Sequence, residues 1–378
     1  MDFEFSDEQQ QLHESIERYL KERYSFDKFR VIAASAQGWD KAVWSGLAEL
    51  GVLGINVPVE YGGLGYGPLE TLAMMGACGK SLVLEPVLSS AVIATTLLKA
   101  LTKSAPAAGL LETLSRGAQI AVLAHFESGA RFDAQSVTTR ARASGQGYVL
   151  DGHKSVVMHA GAADVLLVSA REAGGVRDTA GVSLFAIPRD TPGVTLDVYP
   201  TLDGQRAADV YLKGALLPAA SRLGDAGEAF GAIDAALDVG LAALCAEAVG
   251  VMQALLDATV QYLQTRQQFG QPIGRFQALQ HRVADMVVHL EQARSMSYLA
   301  ALKCGDADPT GRRKALSAAK VVVGQAARFI GQQAVQLHGG MGMTDELIVS
   351  HWFKRLTAAE VMFGDSDTHL QRFAALGL

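Results

Sequence analysis

At 378 residues the chain is long enough for two or three domains around a large core, and with 49% hydrophobic residues it is too apolar for a disordered protein. A net charge of −6 excludes a global basic field for nucleic acid or an anionic membrane, so an anionic ligand has to be held by local arginines or lysines. The three cysteines, Cys78, Cys245 and Cys304, are odd in number and unclustered, which points to a reducing, cytoplasmic setting without disulfide or metal frameworks.

The opening stretch MDFEFSDEQQ is acidic and polar and does not read as a signal peptide. Ser6 with Gln9 makes a capping box, and Leu12, Ile16 and Tyr19 continue at helical spacing. Helical segments punctuated by Gly and Pro run to about Gly117. YGGLGYGP, Tyr61 to Pro68, breaks them as a loop, since no strand–helix pair frames it as a phosphate cradle. From Gln119 to Pro218 the texture is strand-like, with short runs such as SVTTRARA, GYVLDGH, DVLLVSA and VSLFAIP between Gly, Pro and Asp. After Asp225 helical periodicity returns through Phe230, Ile233, Leu237, Leu241 and Leu244. A helix from Glu228 to Thr265 would be about 55 Å long, a length that belongs to bundles. Its apolar run is interrupted by Asp238 and Glu247, so no membrane span is expected, and Glu247 reads as a polar residue satisfied within the bundle.

Ile348, Trp352, Leu356, Ala359 and Phe363 hold helical spacing up to the turn FGDSD, where Gly364 is the expected residue just past the helix end. Asp367 suits the N-cap of a last short helix. His281 and Asp285 share a helix face, but no third ligand stands at metal spacing, so a surface pair is expected and no metal site. The expected architecture is α+β and multidomain. Residues 1–117 form a helical domain, 118–222 a barrel-like β domain and 223–378 a helical bundle.

Four segments in order carry a resemblance to the acyl-CoA dehydrogenase family over essentially the whole chain. They are FSDEQQQL, VPVEYGGLG, RQQFGQPIGRFQALQHRVADM and QLHGGMGMTDE. The resemblance implies a C-terminal four-helix bundle, assembly as a homo- or heterotetramer, FAD as cofactor and oxidation of acyl-CoA thioesters. It also implies an electron-transferring flavoprotein as electron acceptor. A thioester α-proton is weakly acidic, so such chemistry needs a positioned carboxylate as base and hydrogen bonds to the carbonyl oxygen. The family's base is the Glu of a C-terminal Tyr-Glu-Gly-Thr-Ser-Glu-Ile-Gln-Arg segment. Matched back from Gln371-Arg372, Asp365 falls on that position, one methylene or roughly 1.5 Å shorter, a misplacement worth about 100-fold in rate unless the backbone compensates. Where other branches carry the base on the long bundle helix, this chain has Gly240 and then Leu241.

In the family, each FAD is held mainly by one subunit's β domain while a neighbour supplies Arg, Phe, Gln and Gly. Arg266, Phe269, Gln336 and Gly340 match these neighbour-supplied groups, and Arg suits a diphosphate because its guanidinium can bind two oxygens. The β-domain side departs from the pattern. Phe126-Glu127-Ser128 stands for Thr-Glu-Pro, and Val156-Val157-Met158 for the Trp-Ile-Thr that covers the flavin. Phe126, Ser128, Val156 and Met158 are the cofactor-facing positions on this side, and Asp367 is counted with them. Losing two or three side-chain hydrogen bonds at roughly 1 kcal/mol each would cost one to two decades of affinity. Two readings stay open. The chain is a working dehydrogenase with Asp365 as base, or a flavin-poor subunit that completes a partner's FAD site. FKRLTAAEVMFGDSDTHLQRF resembles small subunits of paired bacterial enzymes in this family, including pimeloyl-CoA dehydrogenase. A nitroalkane-oxidase-like flavin oxidase, which also uses Asp as base, is a further alternative.

Overall fold

The computed structural model describes residues 6–145 and 147–377; Met1–Phe5, where the polar N-terminal stretch begins, Gln146 and Leu378 lie outside the described residues. The chain forms two compact units. One comprises Met1–Phe29, Pro68–Val83 and Leu241–Leu378, the other Arg30–Gly67 and Leu84–Gly240. Helices α1 (Asp7–Arg23), α2 (Phe26–Ala34), α3 (Lys41–Glu49), α4 (Pro68–Lys80), α5 (Thr95–Lys99) and α6 (Ala105–Ser115) precede the strands. The strands are β1 (Ala121–Ala124), β2 (Arg140–Ser144), β3 (Gly147–Met158), β4 (Val165–Arg171), β5 (Val182–Pro188), β6 (Val194–Pro200), β7 (Arg206–Pro218) and β8 (Arg222–Leu223). Then follow α7 (Phe230–Thr265), the strands β9 (Gln267–Gln268) and β10 (Gln271–Pro272), α8 (Gln277–Lys303), α9 (Pro309–His338), α10 (Ile348–Val361) and α11 (Ser366–Ala375).

The helical unit is built as its caps and periodicity require. Ser6 and Gln9 form the expected capping box, the Ser6 N–H donating to Gln9 Oε1 at 3.0 Å and the Gln9 N–H to Ser6 Oγ at 3.3 Å. α9 packs against α8, α10 and α11. α4 crosses α7 at glycines. A Cβ on Gly250 would lie 2.0 Å from the Gly76 carbonyl oxygen, and one on Gly79 2.1 Å from that of Glu247. Glu247 itself is gripped by Arg355 through two bonds of 2.7 Å, both residues buried, so its carboxylate is satisfied inside the bundle. α7 is long and apolar enough to cross a membrane, with a mean hydropathy of 1.9 over its most apolar window, yet 89% of that window is buried inside the chain. Its apolar character serves the core.

In the other unit, one mixed sheet runs in the order β6-β7-β3-β2-β4-β5-β8, with β1 parallel to β4. β4 is buried along its whole length, and its first four residues, Val165 to Val168, are all apolar. At its end Arg171 is fully buried, and its guanidinium donates to the carbonyls of Val137, Ala173, Val176, Asp178 and Ala180. This ties down the loop that follows. β3 carries register shifts against β7 between Leu150 and Gly152 and between Lys154 and Val157.

Candidate functional site

The bundle-side residues come first. β9 and β10 form a hairpin with Phe269 and Gly270 at its tip, both left-handed at φ +55° and +78°. Such a tip ordinarily takes Asn, Asp or Gly first, so a phenylalanine there is strained. Its ring meets Phe276 edge-on, centroids 6.0 Å apart, and the residue is 89% exposed. Beside the hairpin opens a cavity of about 830 Å³, lined by Arg266, Arg282, Gln336, His338 and Gly340 among others. Among the described residues no carboxylate lines it, so two guanidiniums set its charge. Arg282 is steadied by Gln333 (Nη1 to Oε1, 2.8 Å), whereas Arg266 makes no ion pair among the described residues.

His338 is buried in the cavity wall and stacks on Tyr262 with centroids 4.4 Å apart. The Ala334 carbonyl, 2.8 Å from Nδ1, can only accept, so Nδ1 carries the proton and Nε2 is an acceptor. Burial pushes the imidazole below its ordinary pKa and keeps it neutral. Gly340 is informative by contrast with Gly339, whose φ of +61° requires glycine. Gly340 lacks a positive φ, and a Cβ there would meet no atom of the chain within 4 Å. Nothing in its own packing calls for glycine, and its bare backbone leaves room at the cavity. Arg266, Gln336 and Gly340 therefore surround one cavity, with Phe269 on the adjoining hairpin tip.

The sheet-side residues differ in character. The Ser155 N–H donates to the Phe126 carbonyl at 2.8 Å, which pins the 126–128 segment beside the end of β3. Val156 sits in the β3 bulge with φ +54° and is 60% exposed. A β-branched residue in that conformation is strained by roughly 1–3 kcal/mol and persists only where its surroundings hold it. Asp209 Oδ1 holds it, accepting from the Val156 N–H at 3.0 Å and the Tyr199 hydroxyl at 3.1 Å. Ser128 is exposed, and Phe126 and Met158 are half-buried.

Between these positions lies a buried polar cluster. Lys154 Nζ donates to Glu127 Oε1 at 2.7 Å, the His125 carbonyl at 3.1 Å and Ser169 Oγ at 3.0 Å. Glu127 also accepts from the N–H groups of Thr138 (2.7 Å) and Thr139 (2.9 Å) and from the Thr138 hydroxyl. The Ser169 hydroxyl donates to His125 Nδ1 (2.9 Å), and His125 Nε2–H donates to the Ala134 carbonyl (2.8 Å). Burial, with the Lys154 charge adding, lowers His125 to about 3. Burial alone would raise Glu127, but the Lys154 charge and the surrounding hydrogen bonds outweigh it and bring the carboxyl to about 2. Burial draws Lys154 down to about 8 against the pull of Glu127.

At the third location, the turn before α11, the two aspartates differ from expectation. Asp365, not Asp367, is the N-cap: it is extended (φ −78°, ψ 174°) and its Oδ1 accepts from the Thr368 N–H at 2.8 Å. The physical reason is the shape of the turn. α10 ends at Val361 with Met362 as its C-cap, Phe363 (φ +58°) takes the place expected for Gly364 just past the helix end, and Gly364 (φ +114°) completes the reversal. The chain is then extended at Asp365, so the helix begins two residues earlier than predicted and Asp367 lies exposed in its first turn. Hydrogen bonds from the Thr368 hydroxyl and N–H, aided by the Lys320 charge, hold the Asp365 carboxyl below the usual range.

The sequence reading overlooked Lys154 with its Glu127 partner, Asp209, and Lys320 on α9. Two of these leave a signal. Lys154 shares the inward strand face with Leu150, and Lys320 stands between Leu316, Val323 and Ala327 at core spacing, both positions where a lysine needs an internal partner.

The domain models of acyl-CoA dehydrogenases match residues 6–108 (N-terminal domain), 123–214 (middle domain) and 227–377 (C-terminal domain). The short-chain specific acyl-CoA dehydrogenase of Bos taurus mitochondria is 32% identical, with 88% of this chain and 80% of the relative covered. Among solved structures, an FAD-dependent dehydrogenase matches with a TM-score of 0.88 at 29% identity over 100% of both chains. The ChsE4–ChsE5 complex of Mycobacterium tuberculosis matches with a TM-score of 0.87 at 26% identity over 99% of this chain and 98% of the other.

Proposed function

The chain belongs to the acyl-CoA dehydrogenase family, and from that membership we propose that it oxidises an acyl-CoA thioester between Cα and Cβ with FAD as cofactor. The observation that carries the cofactor reading is the cavity with two arginines, no carboxylate among the described residues and bare backbone at Gly340. This donor set fits a dinucleotide diphosphate: Arg266 and Arg282 would take phosphate oxygens, Gln336 would add an amide, and Gly340 leaves room for close approach. FAD, when bound, supplies the hydride-accepting chemistry. In the assembly that the family implies, this cavity and Phe269 serve a neighbouring subunit's FAD. Phe126, Ser128, Val156 and Met158 would then face the chain's own, and Asp367 is proposed separately as a cofactor contact.

Asp365 is the proposed base for the α-proton. Like any aspartate with a partly exposed carboxyl it is ionised at neutral pH, as a proton acceptor must be, and the hydrogen bond from Thr368 orients the carboxylate. Domain limits at 117/118 and 222/223, a homo- or heterotetramer, an electron-transferring flavoprotein as acceptor and a cytoplasmic setting belong to the same proposal. A second reading is a flavin-poor subunit of a heteromeric dehydrogenase. The apolar side chains at Phe126, Val156 and Met158 favour it, because none offers a hydrogen-bond donor to a cofactor.

An anaerobic titration of the FAD-loaded chain with acyl-CoAs of graded length tests the proposal. Bleaching of the flavin by the chain alone supports a working dehydrogenase. Bleaching only after a second chain is added supports the heteromeric subunit, and bleaching by nitroethane but by no acyl-CoA would contradict both.

A further inference from the structure

Lys320 is 2% exposed on the core-facing side of α9. A buried ammonium is unfavourable unless its donors are engaged. Here Nζ donates to the Glu360 carbonyl at 2.6 Å and the Gly364 carbonyl at 2.8 Å. Glu360 lies in the last turn of α10, whose open carbonyls form the negative end of the helix, so a cation is well placed there. Gly364 immediately precedes Asp365. α9 reaches the same turn through Ser317, whose Oγ lies 3.3 Å from His369 Nδ1, while His369 Nε2–H donates to the Phe363 carbonyl at 3.1 Å. Space is equally restricted. A Cβ on Gly324 would lie 2.8 Å from Ser366 Oγ, and one on Gly364 2.9 Å from His369 Nε2. Ser317, Lys320 and Gly324 thus form a seat on α9 for the segment that presents Asp365.

We propose that Lys320 is a positioning residue for the dehydrogenation: by tying the Glu360 and Gly364 carbonyls to α9, it fixes where the Asp365 carboxylate stands. This rests on Asp365 being the base. It gives the shortened side chain the backbone support it needs, since a misplacement of about 1 Å can cost on the order of 100-fold. The charges facing Lys320 are few. Cys245 lies on α7, Glu360 on α10 and Asp365 before α11. Burial raises the Cys245 thiol to about 12, so it stays neutral. Burial also pushes Lys320 below its ordinary value, with Glu360 and Asp365 opposing. On the Asp365 side stand Thr368, Lys320 and His369, the last brought down to about 4 by burial and therefore neutral at pH 7.

The test compares FAD-loaded wild type, Lys320→Met, Lys320→Gln and Asp365→Asn. Lys320→Met should speed hydrogen exchange at residues 361–371 while the remainder of α9 stays protected. Its anaerobic flavin reduction should fall on the order of 10- to 100-fold with substrate affinity unchanged. The acid limb of the rate–pH profile should move to higher pH, because Asp365 loses a favourable cation. Lys320→Gln, which keeps N–H donors without the charge, should move the limb equally with a smaller loss of rate, and it carries the test if Lys320→Met does not fold. A wild-type rate and an unmoved acid limb in either folded variant would overturn the proposal, as would loss of protection spread through the whole bundle. Should Asp365→Asn reduce flavin as fast as wild type, the base reading falls by itself. Exchange at the turn then decides for Lys320, with wild-type protection in Lys320→Met refuting it.

Discussion

In the bundle cavity Arg266 makes no ion pair among the described residues and Gly340 presents bare backbone, whereas in the sheet Lys154, Glu127, Ser169 and His125 are bonded to one another and the exposed Val156 is apolar. A ligand site needs groups with unfilled hydrogen-bonding capacity; a folded core needs that capacity filled. The bundle cavity meets the first condition and the sheet cluster the second. The difference separates two cations that look alike in sequence: Arg266 is available to a ligand, and Lys154 is a strut.

The largest expected effect tests the strut. Glu127→Ala leaves Lys154 buried without its counter-charge and should lower stability by about 3–5 kcal/mol in denaturant unfolding. Glu127→Gln with Lys154→Met should recover most of it, and a loss below about 1 kcal/mol for the single variant would show that the cluster bears little load. The cavity should respond in the opposite sense. Arg266→Ala should leave the unfolding midpoint of the apoprotein unchanged and weaken FAD about 10- to 100-fold in a flavin fluorescence titration, through loss of charge-assisted hydrogen bonds of about 1.5–3 kcal/mol. Unchanged affinity would remove Arg266 from the cofactor site.

Acid sharpens the contrast further. His125 lies at about 3 and His369 at about 4 in the folded protein against an ordinary 6.5, and Glu127 at about 2 against 4.5. In each case the unfolded chain binds the proton more readily, so the stability these groups contribute is complete above the ordinary value and is lost as pH falls toward the folded one. The thermal midpoint should therefore drop steadily from pH 7 to pH 4, and Arg266→Ala should follow the same curve. A flat profile over that range would contradict the buried neutral histidines. The smallest effect is expected at the strained bulge. Val156→Gly should change stability by less than about 1 kcal/mol, since relief of the left-handed backbone offsets the freedom glycine gains in the unfolded chain.

Much of the fold was legible because it is written locally. The Ser6–Gln9 box, the spacing of Phe230 through Leu244 and the strand runs after Gln119 each appear where periodicity and caps place them. The cavity residues were legible as motif matches, and Arg266, Gln336 and Gly340 do gather in space. What escaped depends on contacts distant in sequence. Lys154 meets Glu127 across 27 positions, and Lys320 meets Gly364 across 44, so neither partnership has a local signature. The cap was misassigned to Asp367 because the turn is made by Phe363 in a conformation a sequence reading reserves for glycine.

The most direct measurement is the flavin absorbance of FAD-loaded wild type and Asp365→Asn on anaerobic mixing with an acyl-CoA. The expected result is prompt bleaching in the wild type and a rate lower by about 10²- to 10⁴-fold in the variant with flavin still bound. Equal bleaching in both, or none in a wild type that holds its flavin, would contradict the assignment of this chain as a dehydrogenase with Asp365 as its base.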